Sequence, residues 1–228
     1  MTNFTMLCHG RPRLLQQALC SIGDTGGMTF DLFEDAPLFE VREIVHAFIK
    51  SKQGSITTRW QSQGTGAARN AVIAVASHYR GDYLYLSDDD VFFLRPDWLS
   101  VLIRSYEVAW QAGFKILGGY NHPYHRPIAT VPAADGYVVN EVYALALQSM
   151  LMKWEVWDQY GPFCQTPVGA VCASEDIDFT NKIRADGGRI GVIAPVLLVN
   201  CGITNSFGNK IPGWEKVQAE APEGVIVE

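Results

Sequence analysis

The chain has 228 residues, 48% of them apolar, enough for a sizeable core in one large domain or two small ones. Its net charge of −6, from 18 basic and 24 acidic residues, argues against a nucleic-acid binder, which usually presents a basic surface. No stretch of the sequence is long and apolar enough to predict a transmembrane segment. The five cysteines are odd in number and form no CxxC pair, so we expect reduced thiols and a cytoplasmic location.

The first half of the sequence alternates short apolar runs with amphipathic segments. Strands are predicted at 4–8, 30–33, 55–60, 83–86 and 114–120, and helices at 12–22, 41–49, from about 67, and at 97–112. Short loops rich in turn residues connect them. This order of strands and helices indicates a parallel α/β sheet flanked by helices.

The pattern changes after residue 120. Residues 121–136 include three prolines and are predicted as a loop, and 137–152 is a β-prone run with a bend. Helices are predicted at 154–160 and 175–185, strands at 189–193 and 196–199, and an irregular tail after 202. We expect a single domain over 1–228, with a nucleotide-sugar-binding half at 1–120 and an acceptor-side, catalytic half at 121–228.

Three adjacent acids, Asp88, Asp89 and Asp90, follow the apolar run 83–86. That run is typical of a strand that is buried on both faces of a parallel sheet, and ligands of such sheets gather beyond the carboxyl ends of the strands. Buried neighbouring carboxylates repel one another, and a hard cation such as Mg²⁺ or Mn²⁺ relieves that repulsion. The tripeptide alone is equally compatible with an acidic turn before the next helix.

Two glycines, Gly64 and Gly66, precede the third predicted helix. The N-terminus of a helix offers free N–H groups and a partial positive charge to a phosphate. Arg69, in the first predicted turn, opposes that dipole, which indicates that it serves an anion or a carboxylate. A plain loop-to-helix junction with a surface arginine is the alternative.

Two further groups of polar residues lie in the second half. Glu175, Asp176 and Asp178 open the last predicted helix, where acids are common because the helix dipole favours them. A carboxylate near a substrate hydroxyl, acting as general base, is the functional alternative. His122 and His125 lie in the predicted loop, but with no cysteine or acid close in sequence we do not expect a zinc site there.

Several of these segments, taken in order, resemble glycosyltransferase family 2 and its relatives with the GT-A fold. The resemblance covers about residues 3–200 and lies in the order of the segments rather than in any one of them. The matching segments are Arg11-Pro12-Arg13-Leu14-Leu15, Gly66-Ala67-Ala68-Arg69-Asn70, Gly81-Asp82-Tyr83, Ser87-Asp88-Asp89-Asp90, 150–163, Glu175-Asp176-Ile177-Asp178 and Gly188-Arg189-Ile190-Gly191.

The resemblance implies an α/β fold of the GT-A type, with a mainly parallel, Rossmann-like central sheet and a mixed acceptor-side half. It implies an enzyme that moves a sugar from a nucleotide-diphosphate sugar to the hydroxyl of a glycan or another acceptor. Uridine is favoured over guanosine as the base of the donor, and Mn²⁺ or Mg²⁺ is the implied cofactor.

The resemblance also assigns roles to residues on the donor side. Asp88 and Asp90 would bind the metal that holds the donor's diphosphate, and Asp88 and Asp89 would contact the donor itself. Gly66 and Arg69 would lie at the nucleotide or its phosphates.

The remaining implied roles concern the base of the donor and the acceptor. Glu34 or Asp35, after the second strand, would face the nucleotide base. Asp176 would be the catalytic base of an inverting transfer, and Glu175 would position the site.

One departure from the family concerns the metal. Many relatives carry a histidine near the end of the last strand as a further metal ligand, where this sequence has Asn200 and Cys201. The departure leaves an alternative open: a non-catalytic module of the same fold that binds a sugar nucleotide or a glycan. A nucleotidyltransferase that forms sugar nucleotides is disfavoured, because no Gly-rich loop bearing Arg and Lys follows the first strand.

Overall fold

A computed structural model of the chain describes residues 1–23, 26–119, 125–146, 148–165, 174–202, 210, 219 and 221–228. The strands are β1 Thr2–Cys8, β2 Met28–Asp35, β3 Gly54–Arg59, β4 Tyr83–Asp88, β5 Val91–Phe93, β6 Phe114–Gly118, β7 Ala129–Pro132, β8 Val138–Glu141, β9 Ser149–Lys153, β10 Arg189–Ala194 and β11 Leu198–Asn200. The helices are α1 Pro12–Ser21, α2 Phe39–Ile49, α3 Thr65–Ala76, α4 Trp98–Gln111, α5 Trp154–Tyr160 and α6 Ser174–Ala185.

Nine strands form one sheet in the order β3-β2-β1-β4-β9-β6-β10-β8-β7, and β11 pairs with β5 in a separate two-stranded sheet. Within the nine-stranded sheet, β8 and β9 run against the direction that the other strands share. The sheet is therefore mostly parallel, as predicted. The antiparallel β9 lies between β4 and β6, so that the second half of the chain completes the sheet begun by the first.

Helices cover the sheet on both faces. α1, α2 and α4 pack into one hydrophobic cluster, and α3, α5 and α6 pack into another. In β4, Tyr85 belongs to the first cluster and packs on Trp98 of α4, with ring centroids 4.9 Å apart, whereas Leu84 and Leu86 belong to the second. All three strand residues are fully buried, which confirms the prediction that this strand is covered on both sides.

Two strands were not predicted. Val91–Phe93 forms β5 by pairing with β11, which lies more than 100 residues away in the sequence. Ala129–Pro132 forms β7 inside the segment predicted as a loop, at the edge of the sheet beside β8. An edge strand tolerates the proline that ends β7, because the N–H missing from proline is not needed for pairing on the open side.

The strand β1 aligns in register with β2 and β4, so that the carboxyl ends of the three strands meet at one edge. Leu7 lies opposite Asp88, and Cys8 lies opposite Glu34. Asp88 at the end of β4 and Glu34 at the end of β2 therefore lie at the same carboxyl edge of the sheet. A cavity of 420 Å³ lies at the other, amino edge, where Thr2 and Tyr83 contribute to its lining.

None of the helices among the described residues has both the length and the apolar character needed to cross a membrane. Cys8, Cys20 and Cys201 are free thiols.

Candidate active site

The first of the three acids pairs with the arginine of α3. Arg69 Nη2 donates to Asp88 Oδ1 at 2.5 Å. The Arg69 side chain is 4% exposed and that of Asp88 is 26% exposed, so the arginine lies beneath the acid and the acid faces outward. Because α3 begins at Thr65, Arg69 is its fifth residue, just past the first turn in which it was predicted.

The second acid, Asp89, is held by the end of β1. The backbone N–H of His9 donates to Asp89 Oδ2 at 2.7 Å, and the His9 ring Nδ1 lies 2.7 Å from the backbone oxygen of Asp35. His9 therefore connects the carboxyl ends of β1, β2 and β4. Asp89 is 7% exposed and lies within this junction.

The third acid, Asp90, pairs with Arg11 at the start of α1. Arg11 Nη1 donates to Asp90 Oδ2 at 2.7 Å, and the Asp90 side chain is 8% exposed. A Cβ atom on Gly202 would lie 2.0 Å from Asp90 Oδ2 and 2.1 Å from Arg11 Nη1. A side chain at 202 would therefore require the Asp90 carboxylate and the Arg11 guanidinium to move.

The segment that departs from the family pattern lies directly against Asp90. The backbone N–H of Cys201 donates to the backbone oxygen of Asp90 at 2.6 Å. Burial, and then the charge of Asp90, raise the pKa of the Cys201 thiol to about 12, so that the thiol is protonated at neutral pH in the free protein. Asn200 is 1% exposed and its Oδ1 accepts from the N–H of Gly202 at 2.7 Å.

Burial dominates the electrostatics of the acids. Desolvation raises the pKa of Asp89 to about 6 and that of Asp90 to about 7, although the positive charge of Arg11 opposes both shifts. The charge of Asp88 raises both pKa values further. An additional positive charge placed among these carboxylates would therefore be stabilised by the protein.

The donor set fits a divalent cation that shares its coordination shell with a bound diphosphate. Asp90 Oδ1 is buried and has no hydrogen-bond partner among the described residues, and Asp88 presents a partly exposed carboxylate. Mg²⁺ usually takes one or two protein carboxylates and completes its shell with water and substrate phosphates. The described residues contain no group of three or more His, Cys, Asp or Glu side chains that could hold a metal ion by themselves.

The two acids at the end of β2 differ in what surrounds them. Glu34 is fully buried; Thr58 Oγ1 donates to its Oε2 at 2.6 Å, and Arg42 and His46 lie within 3.6 Å of its oxygens.

Asp35 Oδ2 accepts from Ser62 at 2.6 Å, but Asp35 Oδ1 is buried without a partner among the described residues. Glu34 Oε1 is likewise buried without a hydrogen-bond partner among the described residues, so each acid keeps one such oxygen and either could face a nucleotide base.

Gly66 and Asn70 of α3 bind the chain that follows α5. Asn70 Oδ1 accepts from the N–H of Phe163, and Asn70 Nδ2 donates to the Phe163 oxygen, both at 2.9 Å. A Cβ atom on Gly66 would lie 2.2 Å from the backbone oxygen of Cys164. Gly66 thus has a packing reason to be glycine, besides the phosphate contact predicted for it.

Glu175 and Asp176 lie in the first turn of α6. Glu175 is 5% exposed and Asp176 is half-buried. A short turn joins α6 to β10, against which it packs, so the helix runs opposite to the strand and begins near the strand's carboxyl end. The topology therefore brings Asp176 to the edge of the sheet that carries Asp88.

His9, Arg11 and Asn70 were not predicted as site residues. His9 and Arg11 directly follow the first predicted strand, and the rule that ligands gather beyond carboxyl ends could have identified them. Asn70 belongs to a segment that resembles the family, but no local pattern indicated its partner Phe163, which lies 93 residues away. The predicted loop histidine His122 lies outside the described residues.

Comparisons with known proteins bear on the fold. No protein-family model matches the sequence, and no curated protein matches it. The mannosyltransferase PcManGT from Pyrobaculum calidifontis, in complex with GDP-Man and Mn²⁺, is 13% identical, with a TM-score of 0.60 over 84% of this chain and 56% of its own. TarS 1–349 from S. aureus, in complex with UDP-GlcNAc, is 14% identical, with a TM-score of 0.63 over 87% of this chain and 57% of its own.

GalNAc-T7, in complex with UDP, GalNAc and Mn²⁺, is 15% identical, with a TM-score of 0.60 over 85% of this chain and 42% of its own. The chain thus spans less than three fifths of the length of each of these proteins. These likenesses confirm the predicted fold: the chain has a GT-A-like α/β fold. Membership of glycosyltransferase family 2 in particular stays a prediction.

Proposed function

We propose that the chain is a metal-dependent glycosyltransferase that moves a sugar from a nucleotide-diphosphate sugar to an acceptor hydroxyl. The observation that carries this proposal is the pairing of Arg69 with Asp88 at the carboxyl end of β4. It joins, in a GT-A-like sheet, two sequence segments that resemble the nucleotide-binding segments of glycosyltransferase family 2.

The comparisons support the choice of donor and cofactor. PcManGT is in complex with GDP-Man and Mn²⁺, and TarS is in complex with UDP-GlcNAc. We propose a UDP-sugar donor, with a GDP-sugar as the alternative, and Mn²⁺ or Mg²⁺ as the cation. The acceptor is a glycan or another molecule with a free hydroxyl, and we retain the cytoplasmic location as a prediction.

The residues of this chain would divide the chemistry between them. Asp176 would take the proton from the acceptor hydroxyl, which would attack the anomeric carbon from the face opposite the leaving nucleotide and so invert its configuration. Glu175 would position the site. Asp88 and Asp90 would hold the cation, which supplies positive charge to the departing diphosphate, and Arg69 would add a second positive charge beside it.

A melting experiment with nucleotides tests the donor site first. UDP, GDP and their sugars are added to the purified chain with and without Mn²⁺, because a ligand of the folded state raises its melting temperature. We expect stabilisation that needs both a nucleoside diphosphate and Mn²⁺. The double variant Asp88→Asn with Asp90→Asn should lose this response, whereas the control Asp97→Asn, an exposed acid outside the site, should keep it.

Product analysis then tests the reaction. Transfer of the sugar to an acceptor, with release of the nucleoside diphosphate, supports the proposal. Binding without turnover would replace it with the non-catalytic module, and release of pyrophosphate would replace it with a nucleotidyltransferase. Unchanged Mn²⁺-dependent binding in the double variant would remove the metal assignment.

A further inference from the structure

Arg11 and Asp90 form an ion pair at one of the two acids to which the proposed function assigns the metal. Arg11 Nη1 lies 2.7 Å from Asp90 Oδ2, and the carboxylate is almost fully buried. The Arg11 side chain is 35% exposed, so it reaches the acid from the solvent side. The free protein therefore already neutralises Asp90 with its own cation.

The backbone at Gly202 packs closely against the Arg11–Asp90 ion pair. Gly202 passes so close that a Cβ atom there would lie within 2.1 Å of both charged groups. Arg11 is the N-cap residue of α1, where the helix dipole makes a positive charge unfavourable. An arginine in that position needs a compensating anion, and Asp90 provides it.

One oxygen of the Asp90 carboxylate does not take part in the ion pair with Arg11. Asp90 Oδ1 is buried and has no hydrogen-bond partner among the described residues, while Arg11 binds only Oδ2. A divalent cation on Oδ1 would then lie a few ångströms from the guanidinium, and the two positive charges would repel each other. Arg11 and the cation therefore compete for the same buried charge.

We propose that Arg11 is a resident counter-cation that a divalent metal must displace from Asp90. The inference rests on the proposed function, because that function makes Asp90 a metal ligand. Its consequence is that the free protein binds Mn²⁺ weakly. Tight metal binding then requires the donor diphosphate, whose negative charge offers the released guanidinium a new partner.

The test measures binding of Mn²⁺ alone, without nucleotide, by titration calorimetry and by electron paramagnetic resonance of the free ion. Arg11→Gln removes the competing charge, and we expect its Mn²⁺ affinity to rise about tenfold or more. Arg11→Lys keeps the charge and should stay close to the wild type. Arg13→Gln removes a charge of the same helix that is 70% exposed, and it should leave the affinity unchanged.

Melting temperatures provide a second readout, because Arg11→Gln leaves a buried carboxylate without its partner. This variant should melt below the wild type without metal, and Mn²⁺ should stabilise it more than it stabilises the wild type. In the double variant Arg11→Gln with Asp90→Asn both charges are gone, so the metal-free stability should recover and the Mn²⁺ response should vanish.

The possible failures are distinguishable. If Arg11→Gln binds Mn²⁺ no better than the wild type while Asp90→Asn abolishes binding, Arg11 does not compete and this inference alone is wrong. An equal rise in affinity in Arg13→Gln would replace the local competition with a general charge effect. If Asp90→Asn binds Mn²⁺ normally, Asp90 is not a metal ligand and the metal part of the proposed function is wrong as well.

Discussion

Arg11 is the N-cap residue of α1, where the helix dipole disfavours a positive charge, and Arg69 lies just past the first turn of α3. Each is matched by a carboxylate at the end of β4, Asp90 for Arg11 and Asp88 for Arg69. The sequence predicted that Arg69 serves an anion or a carboxylate, and the structure supplies the carboxylate. The arginine consequently has a structural partner in the free protein, whatever it contacts when a donor is bound.

Arg69→Met keeps much of the side-chain volume but removes the charge. Because Arg69 is buried and Asp88 is partly exposed, we expect the free energy of unfolding to fall by about 1–3 kcal/mol, measured by urea denaturation. Nucleotide affinity should fall as well. Arg104→Met breaks an ion pair to Asp135 in which both side chains are about half exposed, and this control should lose less than about 1 kcal/mol.

Asp176 tests the catalytic half of the proposal. If Asp176 is the general base, Asp176→Asn should spare folding and donor binding and slow sugar transfer by about two orders of magnitude or more. If it only supports the start of α6, the same change should cost about 0.3–1 kcal/mol of stability and leave transfer nearly intact.

The measurement is an initial rate of transfer beside a nucleotide-binding isotherm. Glu175→Gln is the neighbouring control and should slow proton removal less. A near-normal rate in Asp176→Asn would make Asp178 the next carboxylate to test.

At the scale of elements, α3 connects the two halves of the chain. Its Arg69 contacts the end of β4, and Gly66 and Asn70 hold the turn around Phe163 that follows α5. One helix therefore fixes Asp88 at the end of β4 and the segment that follows α5 at the same time. This shared contact gives the Gly66 to Asn70 segment a structural role that a phosphate contact alone would not require.

Gly66→Ala tests this role. In an open helix the change would stabilise by up to about 1 kcal/mol, because alanine favours helix. Here the new methyl group meets a backbone oxygen 2.2 Å away, and we expect a net loss of about 1–3 kcal/mol in the free energy of unfolding. Gly26→Ala, where nothing lies within 4 Å of the added carbon, should change stability little; stabilisation by Gly66→Ala would contradict the close contact.

At the scale of the molecule, the sheet has a charged residue within its packed interior. Asp31 in β2 is fully buried, and Ser55 and Tyr79 both donate to its Oδ1. Desolvation raises the pKa of Asp31, although these two hydrogen bonds oppose the shift. The folded state therefore holds the Asp31 proton more tightly than the unfolded state does.

The sign of the effect on stability follows from this shift. Below the unfolded pKa of about 3.9 the group is protonated in both states, and as pH rises through the folded pKa the buried charge costs stability. Asp31→Asn keeps the Oδ1 acceptor for both donors and removes the titrating charge, so its melting temperature relative to that of the wild type should rise as the pH increases from about 4 to 7. A difference in melting temperature that stays constant with pH would show that the charge is not its cause.

Local patterns in the sequence predicted much of the fold. The apolar run before Asp88 predicted a strand buried on both faces, and the alternation of strands and helices predicted a mostly parallel sheet. These predictions hold because burial and periodicity act over a few neighbouring residues. The pairing of β5 with β11 and the position of β9 between β4 and β6 depend on contacts between distant segments, and no local pattern indicates them.

By itself, the sequence placed Asp88, Asp89 and Asp90 at the carboxyl end of a buried strand and Arg69 near the start of a helix. Only the tertiary structure decided their partners: Arg69 for Asp88, the His9 backbone for Asp89, and Arg11 for Asp90. The reason is physical. Burial of a carboxylate creates the need for a positive charge or an N–H group, but which group meets that need depends on how the elements pack.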